Sequence, residues 1–101
     1  MIVRLWRAQV SATHRKEFEH IAEQHLATLL EKQPGFGGVL FLHQEDEATI
    51  LSMWTDRHSA EEFQGMPDVQ RLASEVRDRG IVQGEPRVEI FEVSGGSFKG
   101  L

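Results

Sequence analysis

Cysteine and tyrosine are both missing from this chain of 101 residues. Without cysteine there is no disulfide, no thiol nucleophile, no cysteine-ligated cluster and no thiolate zinc site. That absence fits a reducing compartment, and the cytoplasm is the expected location. The lack of tyrosine removes a common phenolic pocket residue. Long apolar runs are missing too: no window approaches the roughly 20 residues of a membrane-spanning helix. Arg4 and Arg7 interrupt the N-terminal stretch MIVRLWRAQV, which therefore does not read as a signal peptide. Positive charge is scarce, with 11 Lys and Arg against 16 Asp and Glu and a net charge of −5. With no basic cluster to offset it, that balance argues against a nucleic-acid partner.

What is present is ordinary for a soluble globular protein, at 40% hydrophobic and 27% charged. The length suits one domain with a modest core that gains from a partner. The most organised stretch is Ala48 to Gly80, ATILSMWTDRHSAEEFQGMPDVQRLASEVRDRG. It predicts a strand ending near Trp54, a turn, and a helix beginning at Ser59, where Ser59 and Glu62 fit a capping box. Pro67 interrupts that helix because Met66 is pushed out of the helical region. Val69, Leu72, Ala73 and Val76 resume helical spacing, and Gly80 is a stop signal.

Upstream, Ile2 to Val10 predicts a strand, and Ser11-Ala12-Thr13 offers a helix cap. Phe18, Ile21, Ala22, His25, Leu26, Leu29 and Leu30 trace one helical stripe, which ends at Lys32-Gln33-Pro34-Gly35. Gly37-Gly38 predicts a bend or bulge entering a strand at Val39–Gln44. Glu45-Asp46-Glu47 is a turn between that strand and Ala48–Thr55. A final strand is expected over Arg87–Val93 after an irregular connection, and Ser94–Leu101 is a Gly/Ser tail, mobile unless Phe98 docks.

The element order is β-α-β-β-α-β, an α+β, ferredoxin-like pattern: a four-stranded antiparallel sheet with both helices on one face. Residues 1–93 form the domain and 94–101 the tail. An uncovered sheet face should be polar, yet Leu5 and Trp6, Phe41 and Leu42, and Ile50 and Leu51 put apolar side chains on both faces. A second copy of the sheet is the expected cover, which makes the chain a homodimer through its sheet face.

The stretch from Ala48 to Val76, together with EKQPGFGGVLFLHQ, resembles the antibiotic biosynthesis monooxygenase family of dimeric α/β barrel proteins. The resemblance spans about residues 1–93. It implies a monooxygenase, an oxidoreductase working without metal or flavin on a small aromatic substrate such as a quinol or polyketide anthrone. Haem-degrading members carry an Asn on the first strand, a Trp nine residues after the strand tryptophan and a His ten further on. Arg7, Phe63 and Ala73 stand at those positions here, which points away from haem. The alternative is a non-catalytic dimeric module that binds a hydrophobic metabolite.

Under the oxygenase reading His25 is the candidate base and Arg7 the partner of a substrate anion. Gln9 is a hydrogen-bonding neighbour, and Trp54, Phe63 and Leu72 wall the pocket. Each also has a plainer reading. Arg7 can pair with Glu89 or Glu92, His25 can pack half-buried against a carbonyl, and Trp54 can be core. The five histidines do not combine at metal-ligand spacing.

Overall fold

The computed structural model describes residues 1–99. Four strands, β1 (Ile2–Gln9), β2 (Phe36–Gln44), β3 (Glu47–Trp54) and β4 (Gln83–Glu92), form one antiparallel sheet in the order β2-β3-β1-β4. The helices α1 (Arg15–Ile21), α2 (Ala27–Glu31), α3 (Arg57–Gly65) and α4 (Pro67–Asp78) cover one face. This is the ferredoxin-like arrangement the element order predicts.

Register decides which residues meet the helices. Ile2, Arg4, Trp6 and Ala8 of β1 stand opposite Trp54, Ser52, Ile50 and Ala48 of β3. All of these except the half-buried Trp6 are buried, so this set faces inward. Strand alternation then sends Val3, Leu5, Arg7 and Gln9 to the outer face.

The first helical segment is one rod with a change of winding. A 3₁₀ turn (Ala12–His14) leads into α1, a π-helical segment (Ala22–Leu26) follows, and α2 completes it. Phe18, Ala22 and Leu30 are buried and Leu26 is partly so. Those residues step by four. On an α-helix of 3.6 residues per turn each such step overshoots by about 40°, so the row would drift off the sheet. The wider π turn takes up the overshoot. It also removes His25 from the buried stripe on which α-helical spacing places it: His25 is exposed. Ser11 occupies the cap position, but its hydroxyl makes no capping bond.

The second helix starts two residues earlier than the capping box predicts. Asp56 is its N-cap, and its Oδ1 accepts the Ser59 backbone N–H at 2.8 Å. A carboxylate answers both the orphan amide and the positive helix end, which a hydroxyl cannot. The Ser59 amide holds the Asp56 carboxyl below the usual aspartate range. A depressed folded pKa gives stability that is present above the unfolded pKa and lost as pH falls through the folded one. Asp56→Ala is therefore expected to melt below wild type at pH 7, and the gap should close in more acid solution, below about pH 4. Thermal circular dichroism across that range checks this. Met66 is extended between α3 and Pro67 at the first position of α4, as the proline predicts. Gly80, at φ +73°, ends α4.

β4 begins at Gln83, four residues before the expected Arg87. It is an edge strand, so Pro86 interrupts no ladder on its free side. The expected bulge at Gly37-Gly38 is present, as a register shift between Phe36 and Gly38. Gly35, at φ +82°, brings the chain so close to Thr55 and Ser59 that a Cβ there would lie 2.6 Å from the Ser59 hydroxyl. Residues 94–99 carry no regular structure, and Phe98 is exposed. The last two residues of the expected tail, Gly100 and Leu101, lie outside the described residues.

Candidate functional site

The core beneath the helices comes in two apolar clusters. One gathers Ala8, Val10, Phe18, Ile21, Ile50 and Val76, and the other Ile2, Leu30, Trp54, Ala60 and Phe63. Leu26 and Val39 touch both. Between the clusters, mid-strand, two polar residues face each other: Arg4 on β1 and Ser52 on β3. They are the buried polar and charged residues among those described, at 9% and 3% exposure.

The two are satisfied very differently. Ser52 Oγ accepts a 2.9 Å hydrogen bond from Trp54 Nε1, two residues along the same strand face. Arg4 Nε has no partner, and the guanidinium forms no ion pair with a described carboxylate. Burial pulls its pKa below the ordinary arginine value. It remains a cation near neutrality, since that value starts so high. Beside this polar seam stands an aromatic wall. Trp54 lies 5.6 Å from Phe36 and 5.3 Å from Phe63, centroid to centroid. On the other side of the seam Trp6 stacks on Phe18 at 5.9 Å. A fixed cation flanked by aromatic rings and one hydroxyl suits a flat ligand carrying an acidic oxygen.

Two hollows border the sheet. A crevice of about 220 Å³ between the first helical rod and β2 is lined by Val10, Phe18, Ala22 and Phe41, with Glu19 and His43 among its polar residues. His43 Nε2 lies 4.0 Å from Glu19 Oε1. An open polar groove of about 620 Å³ at the end of the sheet is lined by Arg7, Gln9, Glu47, Gln83 and Arg87, among others. No cluster of three metal-ligating side chains occurs among the described residues. No helix among them is long and apolar enough to cross a membrane.

The sequence profile of the antibiotic biosynthesis monooxygenase family matches residues 1–75. The chain belongs to that family. Among solved structures, this family member resembles the monooxygenase ActVA-Orf6 of Streptomyces coelicolor, in complex with nanaomycin D. The TM-score is 0.83 at 14% identity, covering 98% of this chain and 92% of that one. It also resembles SnoaB, a cofactor-independent oxygenase of Streptomyces nogalater, with a TM-score of 0.76 at 19% identity over 94% of each chain. Rv0793 of Mycobacterium tuberculosis aligns with a TM-score of 0.77 at 11% identity, over 96% of this chain and 98% of that one. No curated protein matches by sequence.

Within this family member the six candidate residues separate into two groups. Trp54 and Phe63 are buried together under the helices. Leu72 is also on the helix side but packs against the other cluster, across the seam. Arg7 and Gln9 are on the outer face, and Arg7 Nη1 lies 3.6 Å from Glu89 Oε1, one of the pairings its plainer reading anticipates. Thus Arg7 and His25 sit on opposite faces of the sheet, because odd-numbered β1 residues point away from the helices. Arg4 and Ser52 were not singled out by sequence. The available signal was parity: Arg4 shares its strand face with Ile2, Trp6 and Ala8, the more apolar set.

Proposed function

We propose that this family member is a cofactor-independent monooxygenase acting on a small aromatic substrate of quinol or polyketide type, bound between the helix layer and the sheet. The observation that carries this reading is the buried polar seam beside Trp54, Phe36 and Phe63. It lies in a fold shared with a cofactor-independent oxygenase and with a monooxygenase in complex with nanaomycin D. Dioxygen is a triplet and reacts slowly with paired-electron molecules, but an electron-rich aromatic anion starts the reaction by giving up one electron. The protein's part is to hold the anion and keep water away. For an anthrone-type methylene the balance is CH2 + O2 → C=O + H2O.

Oxygen uptake by the intact chain with a panel of quinols and anthrones tests this. One O2 should disappear per anthrone consumed, with no added metal or flavin and none with heat-denatured protein. If no substrate supports uptake above that control, the oxygenase reading is overturned. A binding module for a hydrophobic metabolite is then favoured, a reading that the absence of a buried carboxylate or imidazole among the described residues already supports.

The same reading includes a homodimer through the outer sheet face. Leu40, Leu42, Phe91 and Val93 are exposed there and Leu5, Leu51 and Met53 only half-buried, an apolar surface large for a free sheet. Sedimentation should find dimers at micromolar concentration, and Leu51→Asp should yield monomers. Single wild-type subunits at that concentration would remove this element.

A further inference from the structure

We infer that Arg4 is a specificity-determining anion site of the buried polar seam. The ligand binds as a phenolate or enolate with its oxygen on the Arg4 guanidinium and its flat apolar body reaching out between α4 and β4. This rests on the oxygenase reading for the identity of the reaction, but the binding chemistry stands on the geometry alone.

Arg4 is buried, at 9% exposure. Its Nε lacks a partner, and no described carboxylate forms an ion pair with it. A buried guanidinium N–H without an acceptor is costly, and an anionic oxygen is the acceptor that also answers its charge. A guanidinium presents five donors in a planar fork, matched to an oxyanion rather than to a neutral ring.

Access comes from one side. In register Arg4 sits between Ser52 on β3 and Ile90 on β4. Trp6 pairs with Val88, so Val88 and Ile90 share the helix-side face of β4. Yet Val88 is 39% exposed and Ile90 only half-buried. The helix layer therefore stops short of β4, and its nearer edge carries the half-buried Val69 and Leu72 of α4. An aromatic body entering there would be met by these four apolar side chains.

The seam supplies a cation and no base. On the helix-side face of residues 2–8, 48–54 and 88–92 the one carboxylate is Glu92, exposed and opposite Ile2 at the strand end. It makes no ion pair with Arg4 among the described contacts. Leu26, Val69 and Leu72 of the helix layer do not titrate, and His25 beside Leu26 is exposed. The other four histidines are exposed or, for His14, half-buried at the rod's N-terminal end. No described residue is placed at Arg4 to take the proton. The hydroxyl instead loses its proton to water, ArO–H → ArO⁻ + H⁺, because the fixed cation favours the charged form. Aromatics without an ionisable group leave Arg4 unpaired and are rejected.

The test uses 4-nitrophenol, whose ionisation is read directly from its visible absorbance, titrated with and without saturating intact protein. Wild type should lower its ionisation midpoint by about 1–3 pH units, the range an adjacent opposite charge produces. Arg4→Met should bind it without that shift or not at all, and Arg4→Lys should restore part of it. Circular dichroism shows that the variants are folded. An unshifted or raised midpoint with wild type, a lowered midpoint that persists in Arg4→Met, or no saturable binding each overturns the inference. The two readings fail separately. Oxygen uptake by wild type with an unshifted 4-nitrophenol midpoint removes the anion site and leaves the oxygenase. A shift without oxygen uptake on any substrate removes the oxygenase and leaves the anion site.

Discussion

Arg4→Met is expected to unfold at a higher temperature than wild type. Methionine keeps a flexible, unbranched stem of similar reach, so the packing of the arginine methylenes is largely retained. What disappears is a desolvated cation whose Nε has no partner. Replacing buried charges by apolar side chains of similar volume stabilises proteins by about 1–4 kcal/mol when it has an effect. For a domain of this size each kcal/mol moves the midpoint by about 4–8 °C.

The pH dependence has a definite sign. Burial lowers the folded pKa of Arg4 below its unfolded value, so the unfolded chain holds that proton more tightly. The penalty is fully present below the folded pKa and is relieved only as pH rises through it, far into the alkaline range. The gain from Arg4→Met should thus be level from about pH 5 to pH 8 in calorimetry, within the range where arginine stays charged. A lower melting temperature would mean that the fold compensates Arg4 after all. A stabilised protein that has lost its ligand is the trade expected of a group retained for binding rather than for folding.

Trp54→Ala should produce the opposite result, a loss of about 3–5 kcal/mol. Trp54 is 1% exposed, lies against Phe36 and Phe63, and donates to Ser52. Alanine leaves a cavity between three strands and α3, and it strips the Ser52 hydroxyl of its donor in a buried setting. Since a domain of this kind has about 5–15 kcal/mol in total, the variant should be near its limit at 37 °C. Trp54→Phe separates the two contributions. It keeps an aromatic ring beside Phe63 and loses the indole hydrogen bond, for a cost of about 1–3 kcal/mol. Urea unfolding with an unchanged slope measures both. An alanine variant within 1 kcal/mol of wild type, on the order of a surface change, would show that the aromatic wall does not hold the sheet to α3.

Much of the fold could be read along the chain. Proline at 67 and glycine at 80 act within a turn of themselves, so the helix break and its end fall where those residues stand. The glycine pair at 37 and 38 marks the bulge for the same local reason. Alternation of apolar residues on β3 places Trp54 with Ile50. Errors came where a local signal had a competitor. Ser59 looked like a cap, but Asp56 reaches the same amide with a charge. His25 fell on the apolar stripe of an ideal helix, and the π segment turned it out to solvent.

The sequence by itself determined the family, the order of elements and an apolar pattern on both sheet faces, because these depend on neighbours a few residues apart. Only the tertiary structure decided between the two arginines of β1. Arg4 and Arg7 both sit among apolar neighbours, and a strand alternates every residue, so one must face in and the other out. Which one does is set by pairing with β3 and β4, more than 40 residues away, and that pairing buries Arg4 beside Ser52 and leaves Arg7 to Glu89.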